Sequence, residues 1–235
     1  MADFHIYCPI ISSRRTTGGI VMTEIERIRC GFKNAYLVTQ NGRSILVDTC
    51  ARQDRKRLFA ACKGKKIIAI FLTHGHCDHT GNAAYLSREL NAPIAMSKAD
   101  FPMIANCYDQ PLTAHTGFGK FIQSLTMKEF EAEHTEQFSP KLFVEDGFRF
   151  DDYGVSAKVI SLEGHTRGSL GLQVDDGCGL IVGDALANFF YPISAPIYGD
   201  RRRAAKTADM IAKMGEDVMI YFGHGSPIKN RKKYK

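Results

Sequence analysis

The chain has 235 residues, 44% hydrophobic and 24% charged, which is the composition of an ordinary globular protein. This length suits one large domain and excludes a disordered chain or a small scaffold held by disulfides. The formal net charge is +6, but five of the cations lie in residues 229–235, so residues 1–228 carry +1. A basic excess invites a nucleic-acid interpretation, and its confinement to the end of the chain argues against nucleic acid as a partner.

The cysteines and the apolar runs predict the compartment. The seven cysteines are widely spaced, odd in number and without a CxxC pair, a pattern typical of reduced thiols. The first residues lack the basic start and long apolar run of a signal peptide. The longest apolar run, 67–72, is far shorter than a membrane span. We therefore expect a cytoplasmic protein without membrane association that acts on a small molecule, and the sequence leaves a homo-oligomer open.

The first half of the chain alternates strand and helix patterns after a loosely ordered lead-in over residues 1–19. The pair Asn41-Gly42 predicts a hairpin turn. Residues 67–72 are apolar on both faces, which predicts a buried strand followed by a histidine-rich loop at 73–80. The predicted elements are strands at 20–29, 35–39, 45–47, 67–72 and 93–96 and helices at 53–62 and 82–90.

The second half begins with an interruption over residues 97–145. Apolar residues recur there at helical spacing, which predicts an amphipathic helix; they are Phe118, Phe121, Ile122, Leu125 and Phe130. We expect residues 97–145 to be an insertion that packs over the site as a lid. Further patterns predict strands at 157–162, 170–174, 180–182 and 218–222, a hairpin turn at Asp176-Gly177 and a helix at 201–214.

This layout of two strand-rich halves, each with helices, predicts a layered α/β fold. No linker divides the chain, so a single domain is expected over residues 20–228. Residues 229–235 are expected to form a solvated basic tail.

Four potential metal ligands follow the predicted buried strand within six residues: His74, His76, Asp78 and His79. A strand end fixes their position. A tight loop lets His74 and His76 bind one metal ion and lets Asp78 and His79 bind a second. Neutral imidazoles and a carboxylate suit zinc, and also iron or manganese. The alternative is a surface histidine cluster without metal, which four potential ligands in one loop after a strand argue against.

Three further candidates follow predicted strands: His165, Asp184 and His224. A glycine precedes each of them and permits a sharp turn at the strand end. Five of the eight histidines thus fall at strand ends, which favours one shared site. Asp184 alone would be an ordinary turn residue, but its place between His165 and His224 favours a bridging ligand.

The motifs HxHxDH, GHTxGS, GD and GHG, in this order over residues 74–224, resemble those of the metallo-β-lactamase superfamily and most closely its glyoxalase II-like hydrolases. The resemblance implies a four-layer αβ/βα sandwich with two divalent metal ions at its edge, zinc being favoured. His74, His76 and His165 would hold the first metal. Asp78, His79 and His224 would hold the second, and Asp184 would bridge the two.

The resemblance also implies a hydrolase in which a metal-bridging hydroxide attacks a carbonyl of a thioester, ester or lactone. Asp78 would orient the hydroxide or carry its proton. Two alternatives stay open: a phosphodiesterase or nuclease of the same fold, and a single-iron oxygenase of the persulfide dioxygenase type. Two divalent ions, two aspartates and a hydroxide sum to about +1, which favours an anionic substrate.

Three side chains near the motifs have open interpretations. Phe189 and Tyr191 follow Asp184 closely and are candidates to line the substrate pocket, with core packing as the alternative. Cys77 lies inside the first motif and is interpreted as a packing residue rather than a ligand.

Overall fold

A computed structural model describes residues 23–132, 135–177 and 179–234. The predicted lead-in at 1–19 lies outside the described residues, as do the first residues of the strand predicted at 20–29.

The first sheet has six strands in the spatial order of the chain, β1-β2-β3-β4-β5-β6. Strands β1 to β3 are antiparallel, whereas β3 to β6 are parallel neighbours. The predicted hairpin turn is confirmed, because Asn41 and Gly42 have the positive φ angles, 52° and 72°, that a tight hairpin needs. The strands are β1 Glu24–Cys30, β2 Lys33–Gln40, β3 Arg43–Val47, β4 Lys66–Phe71, β5 Ile94–Met96 and β6 Leu142–Phe143.

The second sheet has five strands in the order β13-β12-β9-β8-β7, and a separate two-stranded ribbon pairs β10 with β11. The predicted turn between β8 and β9 is confirmed by their antiparallel register, in which Val174 faces Gly179. The strands of this half are β7 Ala157–Ser161, β8 Leu170–Val174, β9 Gly179–Gly183, β10 Leu186–Asn188, β11 Pro192–Ser194, β12 Met219–Phe222 and β13 Ile228–Lys229.

The α-helices of the described residues are α1 Arg55–Cys62, α2 Cys77–Thr80, α3 Ala83–Leu90, α4 Gly117–Ala132 and α5 Arg201–Ala212. Helix α4 confirms the helix predicted within residues 97–145, but Phe118, Phe121 and Leu125 of its predicted apolar face are exposed. The loop predicted at 73–80 is wrong over its last four residues, which form α2. The backbone N–H groups of His79 and Thr80 donate to the His76 carbonyl at 3.0 Å, so this short turn is hydrogen-bonded in itself.

Three apolar layers hold these elements together. Between the sheets, Val38 and Phe71 of the first pack with Val159 and Leu172 of the second. On the outer face of the first sheet, Leu58 of α1 and Leu86 of α3 pack against Leu46. On the outer face of the second sheet, Ile211 of α5 packs against Ile220. The order helix, sheet, sheet, helix confirms the predicted four-layer sandwich.

Two segments are tied to the sandwich more closely than their sequences indicate. Residues 97–145 end in β6, where Leu142 pairs with Ala95, so the end of the predicted insertion is a strand of the first sheet. Residues 229–234 are basic and their charged side chains are exposed. Their backbone is not a loose tail, however, because Asn230 N–H donates to Val218 O at 2.7 Å and the buried Tyr234 hydroxyl donates to Asn230 Oδ1 at 2.6 Å.

Candidate metal centre

All seven predicted ligands follow the carboxyl ends of strands at one edge of the sandwich, five of them in loops and two, Asp78 and His79, in the short helix α2. His74, His76, Asp78 and His79 follow β4, and the other three follow other strands: His165 follows β7, Asp184 follows β9 and His224 follows β12. Strands β7, β9 and β12 run in the same direction within the second sheet, and their carboxyl ends meet that of β4 from the first sheet. This arrangement brings His74 and His224, 150 positions apart in sequence, into one cluster.

The glycines before these ligands serve two different purposes. Gly164 and Gly183 have positive φ angles, 137° and 52°, and make the sharp turns that the sequence predicts. Gly223 instead permits close approach, because a Cβ there would lie 2.4 Å from Asp184 Oδ1 and 2.7 Å from His79 Cε1. A side chain at position 223 would therefore occupy the centre of the site.

His74, His76 and His165 form a first site, whose ligand atoms all lie within 4.8 Å of one another. The three side chains are buried. Nε2 of His165 is 3.0 Å from Nδ1 of His76, and the ring centroids of His74 and His165 are 4.8 Å apart. Three imidazole nitrogens converging on one point match the ligand set that zinc takes in catalytic sites.

Asp78, His79 and His224 form a second site beside the first, again with ligand atoms within 4.8 Å of one another. Asp78 Oδ2 lies 3.4 Å from His224 Nε2 and 3.8 Å from His79 Nε2. The second site thus differs from the first in containing a carboxylate.

Asp184 lies between the two sites. Its Oδ2 is 3.7 Å from His165 Nε2 of the first site and 3.3 Å from His224 Nε2 of the second. Its Oδ1 is 3.4 Å from His79 Nε2. Nε2 of His74, Nε2 of His79 and Oδ1 of Asp184 are buried without a hydrogen-bond partner, a costly arrangement unless a ligand satisfies them. This donor set fits a pair of divalent metal ions.

Asp48, which no sequence motif marks, orients one histidine in each site. It follows β3 at the same edge of the sandwich, and its Oδ2 accepts a hydrogen bond from His79 Nδ1 at 2.8 Å. The same oxygen accepts from Thr73 Oγ1 at 2.8 Å, and Thr73 Oγ1 lies 3.1 Å from His74 Nδ1. Both rings therefore turn Nε2 towards the centre, as carboxylate–histidine–metal arrangements require.

Asp100, also unmarked by a sequence motif, fixes the two loops of the first site to each other. Its fully buried carboxylate accepts from Gly75 N–H at 3.1 Å in the His76 loop. It also accepts from Thr166 Oγ1 at 2.6 Å and Gly168 N–H at 2.8 Å in the His165 loop. Gln110 Nε2 donates to it at 2.8 Å.

The histidines of the two sites differ in pKa in the metal-free protein. Burial and neighbouring histidines lower the pKa of His74 well below its ordinary value and that of His76 to about 3. In the second site burial acts in the same direction, but the carboxylates of Asp184 and Asp78 outweigh it. They raise the pKa of His79 well above its ordinary value and that of His224 to about 10.

The same contacts keep both carboxylates ionised. Burial alone would raise the pKa of Asp184, but His224 and His79 hold it well below its ordinary value. His79 and His224 likewise hold the pKa of Asp78 below its ordinary value against the effect of burial.

The two candidate pocket residues lie at the tip of the ribbon between β10 and β11. The Phe189 ring stacks on the ring of His224, with centroids 6.0 Å apart and an interplanar angle of 29°. Tyr191 is exposed, which contradicts the alternative of core packing for this residue. Cys77 is fully buried beside Leu112 and Ile197, in agreement with its interpretation as a packing residue.

Residues 28–224 match the family model of the metallo-beta-lactamase superfamily, so the chain belongs to this superfamily. The prediction of the family is confirmed, while its glyoxalase II-like subtype stays a prediction. Among the described residues, no helix is both long and apolar enough to cross a membrane.

The relatives in sequence are distant. An uncharacterized protein of Aquifex aeolicus is 29% identical over 147 residues, which are 63% of this chain and 61% of that protein. The chain thus spans about three fifths of that relative's length. The probable metallo-hydrolase YflN of Bacillus subtilis is 25% identical over 191 residues, 77% of this chain and 70% of that protein.

Solved structures show the same fold. TTHA1623, solved in a di-iron-bound form, aligns with a TM-score of 0.64 over 90% of this chain and 94% of that chain at 21% identity. The BLEG-1 B3 metallo-beta-lactamase aligns with a TM-score of 0.66 over 88% of this chain and 94% of that chain at 16% identity.

Proposed function

We propose that the protein is a dinuclear metal-dependent hydrolase that cleaves a carbonyl bond of a small thioester, ester or lactone. The observation that carries the proposal is the position of Asp184, whose carboxylate faces imidazoles of both sites at 3.3 to 3.7 Å. A carboxylate between two ligand groups is the arrangement that holds two ions close enough to act on one substrate.

Each side chain has a defined part in this proposal. His74, His76 and His165 would hold the first ion, and Asp78, His79 and His224 the second. Two bound divalent ions supply a water of lowered pKa and Lewis acidity towards a developing oxyanion. Asp78 Oδ2 lies 3.4 Å from His224 Nε2 and 3.8 Å from His79 Nε2, so its carboxylate would bind the second ion and would orient the attacking water or carry its proton.

Zinc is the metal we propose, since three imidazoles without a thiolate suit it; iron and manganese take similar ligands. The di-iron form of TTHA1623 makes iron the principal competitor. We also propose that the protein works in the cytoplasm on a small molecule. The described cysteines Cys30, Cys50, Cys62, Cys77 and Cys107 are all free thiols, in keeping with a reducing compartment.

The proposal is tested by loading the purified protein with zinc, iron or manganese and assaying thioesters, esters, lactones and an aryl phosphodiester. We expect carbonyl hydrolysis that requires two metal ions per chain. Exclusive cleavage of the phosphodiester, or oxygen consumption with one iron per chain, would contradict it. Asp151→Asn is a suitable control, because this aspartate pairs with Arg149 on the surface and should leave the activity unchanged.

A further inference from the structure

Exposed aromatic side chains at the ribbon tip lie directly beside the second site. Residues 189–191 join β10 to β11, and the stacking of Phe189 on His224 places this tip against a metal ligand. The ribbon is anchored there, since Asn188 N–H donates to His224 O at 2.9 Å and Asn188 Nδ2 donates to Ser226 O at 2.7 Å. Phe190 and Tyr191 nevertheless remain 90% and 61% exposed.

Helix α4 continues this apolar surface away from the metal centre. The ring of Phe118 meets the ring of Phe189 edge-on, with centroids 5.8 Å apart. Phe121 lies three residues further along the same side of the helix and is 60% exposed. On its inner side α4 is anchored by Ile122, which packs against the buried cluster that contains Cys77 of the metal loop.

The start of α4 is built to lie close to the loops of the site. A Cβ at Gly119 would be 2.5 Å from the Pro196 carbonyl oxygen, so only glycine permits this approach. The neighbouring Ile197 carbonyl accepts the hydrogen bond from His165 Nδ1 at 2.9 Å. The helix is therefore positioned by the same segment that orients a ligand of the first site.

A third segment, the turn between β1 and β2, carries an exposed aromatic side chain next to a residue that pairs with His224. Phe32 is 82% exposed and directly precedes Lys33, which forms a β-bridge with His224. Among the described residues, the four most exposed large apolar side chains are Phe190, Phe32, Tyr191 and Phe121. All four lie on segments that contact either the His224 loop or Phe189, whose ring stacks on His224. Such a concentration of exposed apolar side chains marks a binding site.

We propose that this aromatic rim, made of Phe32, Phe118, Phe121, Phe189, Phe190 and Tyr191, binds an apolar acyl or aryl group attached to the scissile carbonyl. The inference rests on the hydrolase function proposed above and specifies its substrate class. The rim is continuous with the metal centre through the contact between Phe189 and His224, so a carbonyl held at the metals places its apolar substituent on the rim.

Chain length of the acyl group tests the rim. We would measure kcat/KM of the metal-loaded protein for N-acetylcysteamine thioesters from acetyl to octanoyl. We expect a rise of about two- to fourfold per added methylene, because a fully buried methylene contributes about fourfold and an open rim somewhat less. The ratio of octanoyl to acetyl kcat/KM should fall by at least about tenfold in Phe189→Ala and by a smaller factor in Phe121→Ser.

Phe143→Ala is the matched control. Phe143 is 49% exposed on the edge strand β6 and packs edge-on against Phe101, with ring centroids 5.6 Å apart, outside the aromatic rim. Its substitution should leave the ratio unchanged. Equal kcat/KM for all chain lengths, or an unchanged ratio in both rim variants, would overturn the inference while leaving the hydrolase proposal intact.

A binding measurement separates the two proposals if no thioester is cleaved. Calorimetry with octanoate and acetate tests the rim without turnover, and we expect octanoate to bind at least about tenfold more tightly than acetate, with the difference reduced in Phe189→Ala. Absence of that difference would overturn the inference. Sedimentation of the wild-type protein checks whether a second copy covers the rim; a dimer that dissociates in Phe121→Ser would overturn it as well.

Discussion

The first and second sites lie at the same edge of the sandwich but differ in charge. The first site consists of three imidazoles, of which His74 and His76 are kept uncharged by burial and by their histidine neighbours. In the second site His79 and His224 face two carboxylates, that of Asp78 and that of Asp184 between the sites, and therefore retain protons at neutral pH in the metal-free protein. His74 and His76 can therefore bind a metal ion without losing protons, whereas a metal ion that binds in the second site must displace the protons of His79 and His224.

The carboxylates of Asp100 and Asp48, which support the sites without belonging to the predicted ligands, act on the two sites differently. Asp100 holds the two loops of the first site together without contacting a ligand ring. Asp48 reaches both sites, directly through His79 and indirectly through Thr73 and His74. Substitutions at Asp184, Asp48 and Asp100 should therefore change the metal content of the two sites in three different ways.

The largest effect is expected from Asp184→Ala. Removal of the shared carboxylate should abolish the second metal and retain one, and kcat/KM should fall on the order of 10³-fold because both ions act on one substrate. Elemental analysis and kinetics on the dialysed variant measure this. Two metals and full activity in the variant would show that Asp184 is not a bridging ligand.

Asp48→Asn should weaken metal binding in both sites. The amide keeps the shape of the side chain but removes one acceptor, so His79 and Thr73 lose their common partner. We expect a decrease of about 10- to 100-fold in affinity for each metal, the usual cost of losing a group that orients a metal-bound histidine. Competition with a chromophoric chelator measures both constants, and Asp151→Asn is the surface control.

Asp100→Asn should weaken the first site only. The substitution puts an amide N–H₂ among four hydrogen-bond donors, which should lower the free energy of unfolding by about 2–4 kcal/mol. The affinity of the first metal should fall while that of the second changes by less than about threefold. Equal losses at both sites in the same chelator competition would contradict the separate tasks of Asp48 and Asp100.

The smallest effect concerns pH. The pKa of His224 is raised from 6.5 to about 10 in the folded metal-free protein, so its contribution to stability is fully present below pH 6.5 and is lost as the pH rises towards 10. Thermal unfolding of the metal-free protein should therefore occur at lower temperature at pH 9.5 than at pH 7. Zinc displaces this proton, so the loaded protein should show a smaller decrease; equal decreases would contradict the assignment.

The sequence predicts which seven side chains cluster at one edge, because each belongs to a short motif at a strand end; that they bind metal stays a prediction. It did not reveal Asp48 or Asp100, since the residues of the candidate metal loops that they contact lie 25 to 68 residues away and no local spacing marks them. The prediction of a solvated tail is wrong for Asn230 and Tyr234, which are buried. The five cations of residues 229–235 dominate the sequence pattern there and give no sign of this burial. The two-residue strand β6 is too short to leave a periodic pattern and is defined only by its pairing with β5.

The most direct test of the dinuclear centre is anomalous diffraction at the zinc edge from crystals of the zinc-loaded protein. We expect two peaks about 3.5–4 Å apart, one among His74, His76 and His165 and the other among Asp78, His79 and His224, with Asp184 between them. A single peak at full occupancy would contradict a two-metal centre.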